Sequence, residues 1–139
     1  MNEKLLIYTD GGARGNPGPA GIGAVLKNEA GEVVAEVSEY IGETTNNQAE
    51  YKAVVAAITK AKELGALFLD FYLDSLLVVE QLNGNYKVKN KDLAPLFVKI
   101  HNARLGFKKT TFTHIRREFN KEADALVNLA LDKEMGMSQ

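Results

Sequence analysis

Three short apolar runs precede residue 41, and their tight spacing limits the possible folds more than any other feature of the chain. Lys4–Thr9 (KLLIYT), Ala20–Lys27 (AGIGAVLK) and Glu32–Tyr40 (EVVAEVSEY) are rich in Leu, Ile, Val and Tyr, as strands are. The first two are separated by a run of turn formers from Gly11 to Pro19, and Glu29-Ala30-Gly31 separates the second from the third. Connections this short make the three segments an antiparallel meander. The pattern then changes period. Gln48–Leu64 is rich in Ala, Glu and Lys, and Val54, Ala57, Ile58, Ala61 and Leu64 recur at spacings of three and four. That spacing predicts a long helix with one buried face, capped near Asn46 and stopped at Gly65.

Leu67–Leu73 (LFLDFYL) reads as a mostly buried fourth strand, and Asp74-Ser75 caps a short helix running to Leu82. Asn83-Gly84-Asn85 ends that helix, and Tyr86–Lys91 is a basic linker. Leu93–Leu105 is helical despite Pro95, Lys109–Ile115 is a fifth strand, and Asn120–Glu134 is a closing helix rich in Ala and Leu. The order β-β-β-α-β-α-α-β-α describes an α/β domain with a five-stranded sheet flanked by helices. It covers residues 1–139, with 136–139 expected as a frayed tail.

A length of 139 residues suits one domain, and a charged fraction of 25% gives no sign of disorder. The chain has no Cys, which excludes a disulfide scaffold, a thiolate metal site and a Cys nucleophile. It shows no cleavable signal and no apolar stretch near the roughly 18 residues needed to span a bilayer. A soluble, cytoplasmic protein with no membrane partner is the expectation. The charge balance, 17 Lys+Arg against 18 Asp+Glu, sits awkwardly with a nucleic-acid partner, because such proteins are normally basic. The two fit together if several carboxylates are gathered to bind cations.

Four carboxylates stand at the ends of predicted elements. Asp10 and Asp74 each follow an apolar strand, while Glu50 and Asp124 fall at or near the first turns of helices. Ligands in α/β folds gather outside the carboxyl ends of strands. Hard oxygen donors suit Mg²⁺ or Mn²⁺, and two such ions about 3.5–4 Å apart can drive phosphodiester cleavage. Each residue alone has an ordinary explanation as well. Acidic residues complement helix dipoles, and Asp74 is a suitable N-cap. Spacing by itself leaves these alternatives open.

The local motifs narrow them. Tyr8-Thr9-Asp10-Gly11-Gly12-Ala13, followed by Arg14-Gly15-Asn16-Pro17-Gly18-Pro19-Ala20-Gly21, resembles the opening signature of the type 1 ribonucleases H. Thr44-Thr45-Asn46-Asn47-Gln48-Ala49-Glu50 resembles the second signature, Leu73-Asp74-Ser75 the third, and Asn120-Lys121-Glu122-Ala123-Asp124 the fourth. They occur in the family's order and cover nearly the whole chain. The resemblance implies a ribonuclease H-like fold with a mixed sheet. It also implies an endonuclease that cuts the RNA strand of an RNA–DNA hybrid to leave 5′-phosphate and 3′-hydroxyl ends. The implied cofactor is two Mg²⁺ ions, or Mn²⁺, held by Asp10, Glu50, Asp74 and Asp124.

By the same resemblance, Asn16, Asn46, Asn47 and Gln48 are expected to read the RNA 2′-hydroxyl, since amides both donate and accept. Gly11 and Gly12 would let backbone approach the minor groove, and Thr45 would meet a DNA-strand phosphate. Asn46 has a second reading as the helix N-cap. Many members place a His before the last Asp to help product release. Arg117 resembles the Arg that replaces it in a subset with an Arg-Glu-x-Asn-x-x-Ala-Asp ending, and His114 is the other candidate. The ordinary reading of Arg117 is a surface ion pair with Glu118 or Glu122. His114, inside a predicted strand, has a packing or surface role as its alternative.

The chain also departs from the best-known members. The basic helical protrusion between the third and fourth motifs is missing. Lys87, Lys89 and Lys91 supply positive charge there, either for the DNA backbone or as solvated loop. Leu76 stands where a polar residue is expected, and His101 reads as a helix-surface residue. Double-stranded RNA is a second implied substrate, because some members without the protrusion cut it. A monomer is the default. The rival readings are a hybrid-binding module that does not cut and the nuclease domain of a reverse-transcriptase element. The full acidic set speaks against the first, and the Met1 start with a finished final helix against the second.

Overall fold

In the computed structural model, which describes residues 3–136, the first strand runs further than its apolar run. β1 spans Lys4–Ala13, β2 Gly18–Lys27 and β3 Val33–Thr44, joined as the antiparallel meander expected. Gly11, Gly12 and Ala13 stay in register opposite Ile22, Gly21 and Ala20, so Asp10 lies inside a strand rather than after one. The glycines belong there because helices press on both faces of the sheet. A Cβ on Gly11 would come within 2.3 Å of the Ala49 carbonyl in α1 (Asn46–Glu63). A Cβ on Gly23 would meet the Ala123 carbonyl oxygen of α4 (Lys121–Glu134) at the same distance. A composition typical of turns thus conceals a strand that needs space for its neighbours.

β4 (Phe68–Leu73) pairs parallel with β1, and β5 (Lys109–His114) pairs parallel with β4. The result is one mixed five-stranded sheet in the order β3-β2-β1-β4-β5. α1 packs on one face, where Tyr51, Val54, Ala57, Ile58 and Ala61 bury against Leu5, Ile7, Leu69 and Phe71. Removing each large apolar side chain from water contributes about 1.5–3 kcal/mol. α4 covers the other face across β1, β2 and β3, fastened by the Ser38 hydroxyl, which donates to the Leu126 carbonyl at 2.6 Å.

α2 (Leu76–Leu82) and α3 (Ala94–Arg104) link β4 to β5 and complete the expected element order. Pro95 is the second residue of α3, where its missing N–H breaks no helical hydrogen bond. A 3₁₀ turn at Arg117–Phe119, not expected from the sequence, sits between β5 and α4. Gly65 does stop α1, with φ at +76° and its N–H donating to the Lys62 carbonyl. Residues 137–139 of the expected tail lie outside the described residues. No helix among the described residues is long and apolar enough to cross a membrane.

Candidate active site

Parallel pairing of β1 with β4 sets Asp10 beside Asp74, which directly follows β4, and the contact at Gly11 brings the start of α1 down on top of them. Carboxylate oxygens of Asp10, Glu50 and Asp74 lie within 4.8 Å of one another, close enough to share a cation. Asp124, in the first turn of α4, faces the same cleft from the opposite face of the sheet, near enough for its charge to act on Asp10. All four line one open cleft.

The ordinary explanations fail at two positions. Ser75 caps α2, its hydroxyl accepting from the Val78 N–H at 3.3 Å, so Asp74 caps nothing. α1 begins at Asn46, so Glu50 is in its second turn rather than its first and lies beyond the helix terminus it would complement. Glu50 is buried, and its Oε1 has no hydrogen-bond partner among the described residues. Burial and the charges of Asp10 and Asp74 push its pKa well above the usual range, and Arg117 opposes the shift. Burial, together with Asp74 and Asp124, pushes Asp10 up to about 8. An orphaned buried oxygen among crowded carboxylates is costly unless a cation completes the site. Hard oxygen donors in this number fit a divalent cation such as Mg²⁺ or Mn²⁺.

Asn120 supports this cluster, a role its sequence context did not suggest. Its Nδ2 donates to the Thr9 carbonyl at 2.8 Å and to Asp74 Oδ2 at 3.0 Å, tying α4 to β1 and orienting Asp74. It is almost fully buried and makes no side-chain cap. Its place at the head of the fourth motif was the available signal, but an Asn before a helix ordinarily reads as a cap.

The amide-bearing loops meet at the rim of the cleft. Thr45, not Asn46, caps α1 by accepting from the Gln48 N–H at 3.2 Å. Asn46 instead accepts from the Ala13 N–H at 2.8 Å, and Asn16 accepts from the Asn46 N–H at 3.0 Å. The Nδ2 donors of both are left without protein partners among the described residues. Asn47 is exposed, and Gln48 accepts from the Thr44 hydroxyl. The space that Gly11 leaves is taken by α1, whereas a Cβ added at Gly12 would find Val127 Cγ1 as its nearest atom, at 3.9 Å.

Arg117 lines the cleft with the four carboxylates. The carboxylates of Glu118 and Glu122 pair with other residues, Glu118 with Arg116 at 3.4 Å and Glu122 with Lys27 at 2.7 Å, so the surface ion pair weighed for Arg117 is not formed. His114 ends β5, exposed and outside the cleft lining. His101 stacks on Phe97 in α3, Lys87, Lys89 and Lys91 are exposed, and Leu76 is 51% exposed beside Ser75.

Fold and site together define an α/β protein that can seat divalent cations at the floor of a cleft rimmed with amides. Residues 8–130 match the family model described as reverse transcriptase-like. The chain is 44% identical over 129 residues to the ribonuclease HI of Halobacterium salinarum, covering 93% of this chain and 65% of that protein. It is 43% identical over 130 residues to the bifunctional protein Rv2228c of Mycobacterium tuberculosis, covering 93% of this chain and 36% of that one. It therefore spans about a third of the mycobacterial relatives and about two thirds of the halobacterial one. A ribonuclease H of Chlorobium phaeovibrioides is matched over 99% of its length at 33% identity. The crystal structure of LC11-RNase H1 in complex with an RNA/DNA hybrid superposes with a TM-score of 0.91 at 46% identity, covering 94% of this chain and 99% of that one. The chain belongs to the ribonuclease H family.

Proposed function

We propose that the protein is an endoribonuclease that hydrolyses the RNA strand of RNA–DNA hybrids, leaving 5′-phosphate and 3′-hydroxyl ends. The observation that carries this reading is the convergence of the Asp10, Glu50 and Asp74 oxygens within 4.8 Å, beside the orphaned Glu50 Oε1. Two Mg²⁺ or Mn²⁺ ions held by Asp10, Glu50, Asp74 and Asp124 would supply an activated water and neutralise charge at the scissile phosphate. The protein's own groups do the positioning. Asn120 holds Asp74 in orientation, and Asn16 and Asn46 offer amide donors to a 2′-hydroxyl. Arg117 sits where it can stabilise or release a charged product. The protein acts as a monomer, with double-stranded RNA as a second substrate.

A labelled hybrid incubated with Mg²⁺ or Mn²⁺ should yield 5′-phosphate RNA fragments and an intact DNA strand. Tight hybrid binding without cleavage under either metal would instead make the protein a binding module. A parallel double-stranded RNA substrate checks the second activity. Arg117→Ala should lower turnover much more than hybrid affinity, and an unchanged rate would return Arg117 to the protein surface. Asn120→Ala should lower kcat by about 10–100-fold, the usual loss when the partner that orients a metal ligand is removed. Steady-state kinetics at saturating hybrid would measure it, and a loss confined to KM would argue against orientation of Asp74.

A further inference from the structure

Asp124 is the most exposed of the four carboxylates and projects from the first turn of α4, so a contact that holds its carboxylate toward the cleft matters most here. Its neighbour along the helix does so. Asn128 donates through Nδ2 to Asp124 Oδ2 at 3.4 Å, and the Asn128 Oδ1 accepts from Arg14 Nη2 at 3.4 Å. Arg14 is anchored in turn by an ion pair with Asp132 at 2.6 Å, one further turn along the same helix. Its Nη1 also reaches the Met135 sulfur at 3.5 Å.

The backbone beneath Arg14 is firmly placed. Its N–H donates to the Pro19 carbonyl at 2.8 Å, and Gly18 sits so close that a Cβ would approach the Arg14 carbonyl oxygen to 2.2 Å. The same loop carries Asn16, which accepts from the Asn46 N–H at the start of α1. One guanidinium therefore connects the loop that carries an amide of the cleft rim to the helix that carries a metal ligand. Nη2 alone meets both the Asp132 carboxylate and the Asn128 amide, while Nη1 reaches Met135, so the two terminal nitrogens together touch three positions along α4.

We propose that Arg14 is a positioning residue for the cation site, acting through Asn128 on Asp124. Its contribution to stability is small, because ion pairs as exposed as Arg14–Asp132 add little to folding. Its contribution to chemistry is larger, because the support behind a metal ligand controls both affinity and turnover. The inference rests on the nuclease reading above.

The test compares wild type with Arg14→Ala, Arg14→Lys, Asn128→Ala and the double variant Arg14→Ala/Asn128→Ala. The readouts are Mn²⁺ binding by calorimetry, hybrid cleavage kinetics and Tm. Arg14→Ala is expected to lower kcat about tenfold and weaken Mn²⁺ binding about tenfold. KM for hybrid should stay unchanged, and Tm should fall by no more than a few degrees. Asn128→Ala should reproduce both losses, and the double variant should be no worse than either single change, as expected for two links of one chain. Arg14→Lys should keep the wild-type Tm through Asp132 but recover only part of kcat, because one ammonium nitrogen replaces the two that reach Asp132, Asn128 and Met135. Four results would overturn the proposal: unchanged kcat and Mn²⁺ affinity in Arg14→Ala, a rise confined to KM, losses that add in the double variant, or full activity in Arg14→Lys. The Mn²⁺ titration needs no turnover, so a wild type that fails to cleave would sink the nuclease reading, while weaker Mn²⁺ binding in Arg14→Ala would still support the role of Arg14 and unchanged binding would overturn it.

Discussion

Asp10→Asn should abolish hybrid cleavage, by about 10³-fold or more, while making the metal-free protein more stable. Both effects have one origin. Asp10 is 8% exposed, inside β1, and shares its surroundings with Glu50, Asp74 and Asp124. Burial first, then the neighbouring carboxylates, raise its pKa from 3.8 to about 8. At neutral pH a charged Asp10 therefore costs free energy in the folded state that it does not cost in the unfolded chain. For an acid whose pKa rises on folding, the folded state binds more protons between the two values, so stability falls as pH rises. The penalty is absent below about pH 4 and complete above about pH 8.

Replacing the carboxylate by its isosteric amide removes that penalty. The expected gain at pH 7 is about 2 kcal/mol, or roughly 5–8 °C in Tm, after discounting for the coupling among the four groups. Thermal melts in EDTA across pH 5–9 would measure it, with the difference between variant and wild type growing as pH rises. Adding Mn²⁺ should stabilise the wild type, since a ligand of the native state shifts the folding equilibrium toward it, and should stabilise Asp10→Asn much less. Undiminished cleavage by Asp10→Asn would remove Asp10 from the mechanism. A Tm difference independent of pH would show that repulsion is not what the change relieves.

Gly11→Ala should damage the protein from a different direction. The added methyl would stand 2.3 Å from both the carbonyl carbon and oxygen of Ala49 and 2.6 Å from the Glu50 nitrogen. Those atoms are backbone of α1 and cannot rotate aside as a side chain could, so α1 must lift away from β1. The cost should be about 3 kcal/mol, at the upper end for overpacking, or roughly 10 °C in Tm. Lifting α1 also carries Glu50 away from Asp10 and Asp74, so cation affinity and cleavage should fall together with stability. Gly12→Ala is the control, because its nearest contact would be an ordinary 3.9 Å from Val127 Cγ1. It should change stability by less than about 1 kcal/mol. Equal stability of the two variants would show that α1 does not rest on β1 through Gly11.

Local rules account for much of the element order. The meander, the period of α1, the strand character of 67–73 and the Ala-rich closing helix all follow from side-chain pattern, and the structure keeps each of them. The differences fall where tertiary contacts overrule composition. Gly11–Ala13 has the composition of a loop because glycine is poor in strands on its own account, yet the close approach of α1 demands it there. Asn46 has the character of a cap, yet Thr45 performs the capping and Asn46 is drawn away to the Ala13 N–H. Asn120 shows in the sequence only its place at the head of a motif, because both of its partners, Thr9 and Asp74, are distant along the chain.

The same division holds for the four carboxylates. The sequence alone singles them out as candidates, because each lies within a motif and the motifs occur in a recognisable order. It could not determine that they form a site, since no spacing along the chain tells which oxygens converge. The parallel register of β1 and β4, the glycine contact that seats α1, and the packing of α4 decide that convergence. Each is a contact between segments far apart in sequence, and together they bring like charges close enough to raise the Asp10 pKa and to offer a cation a shared site.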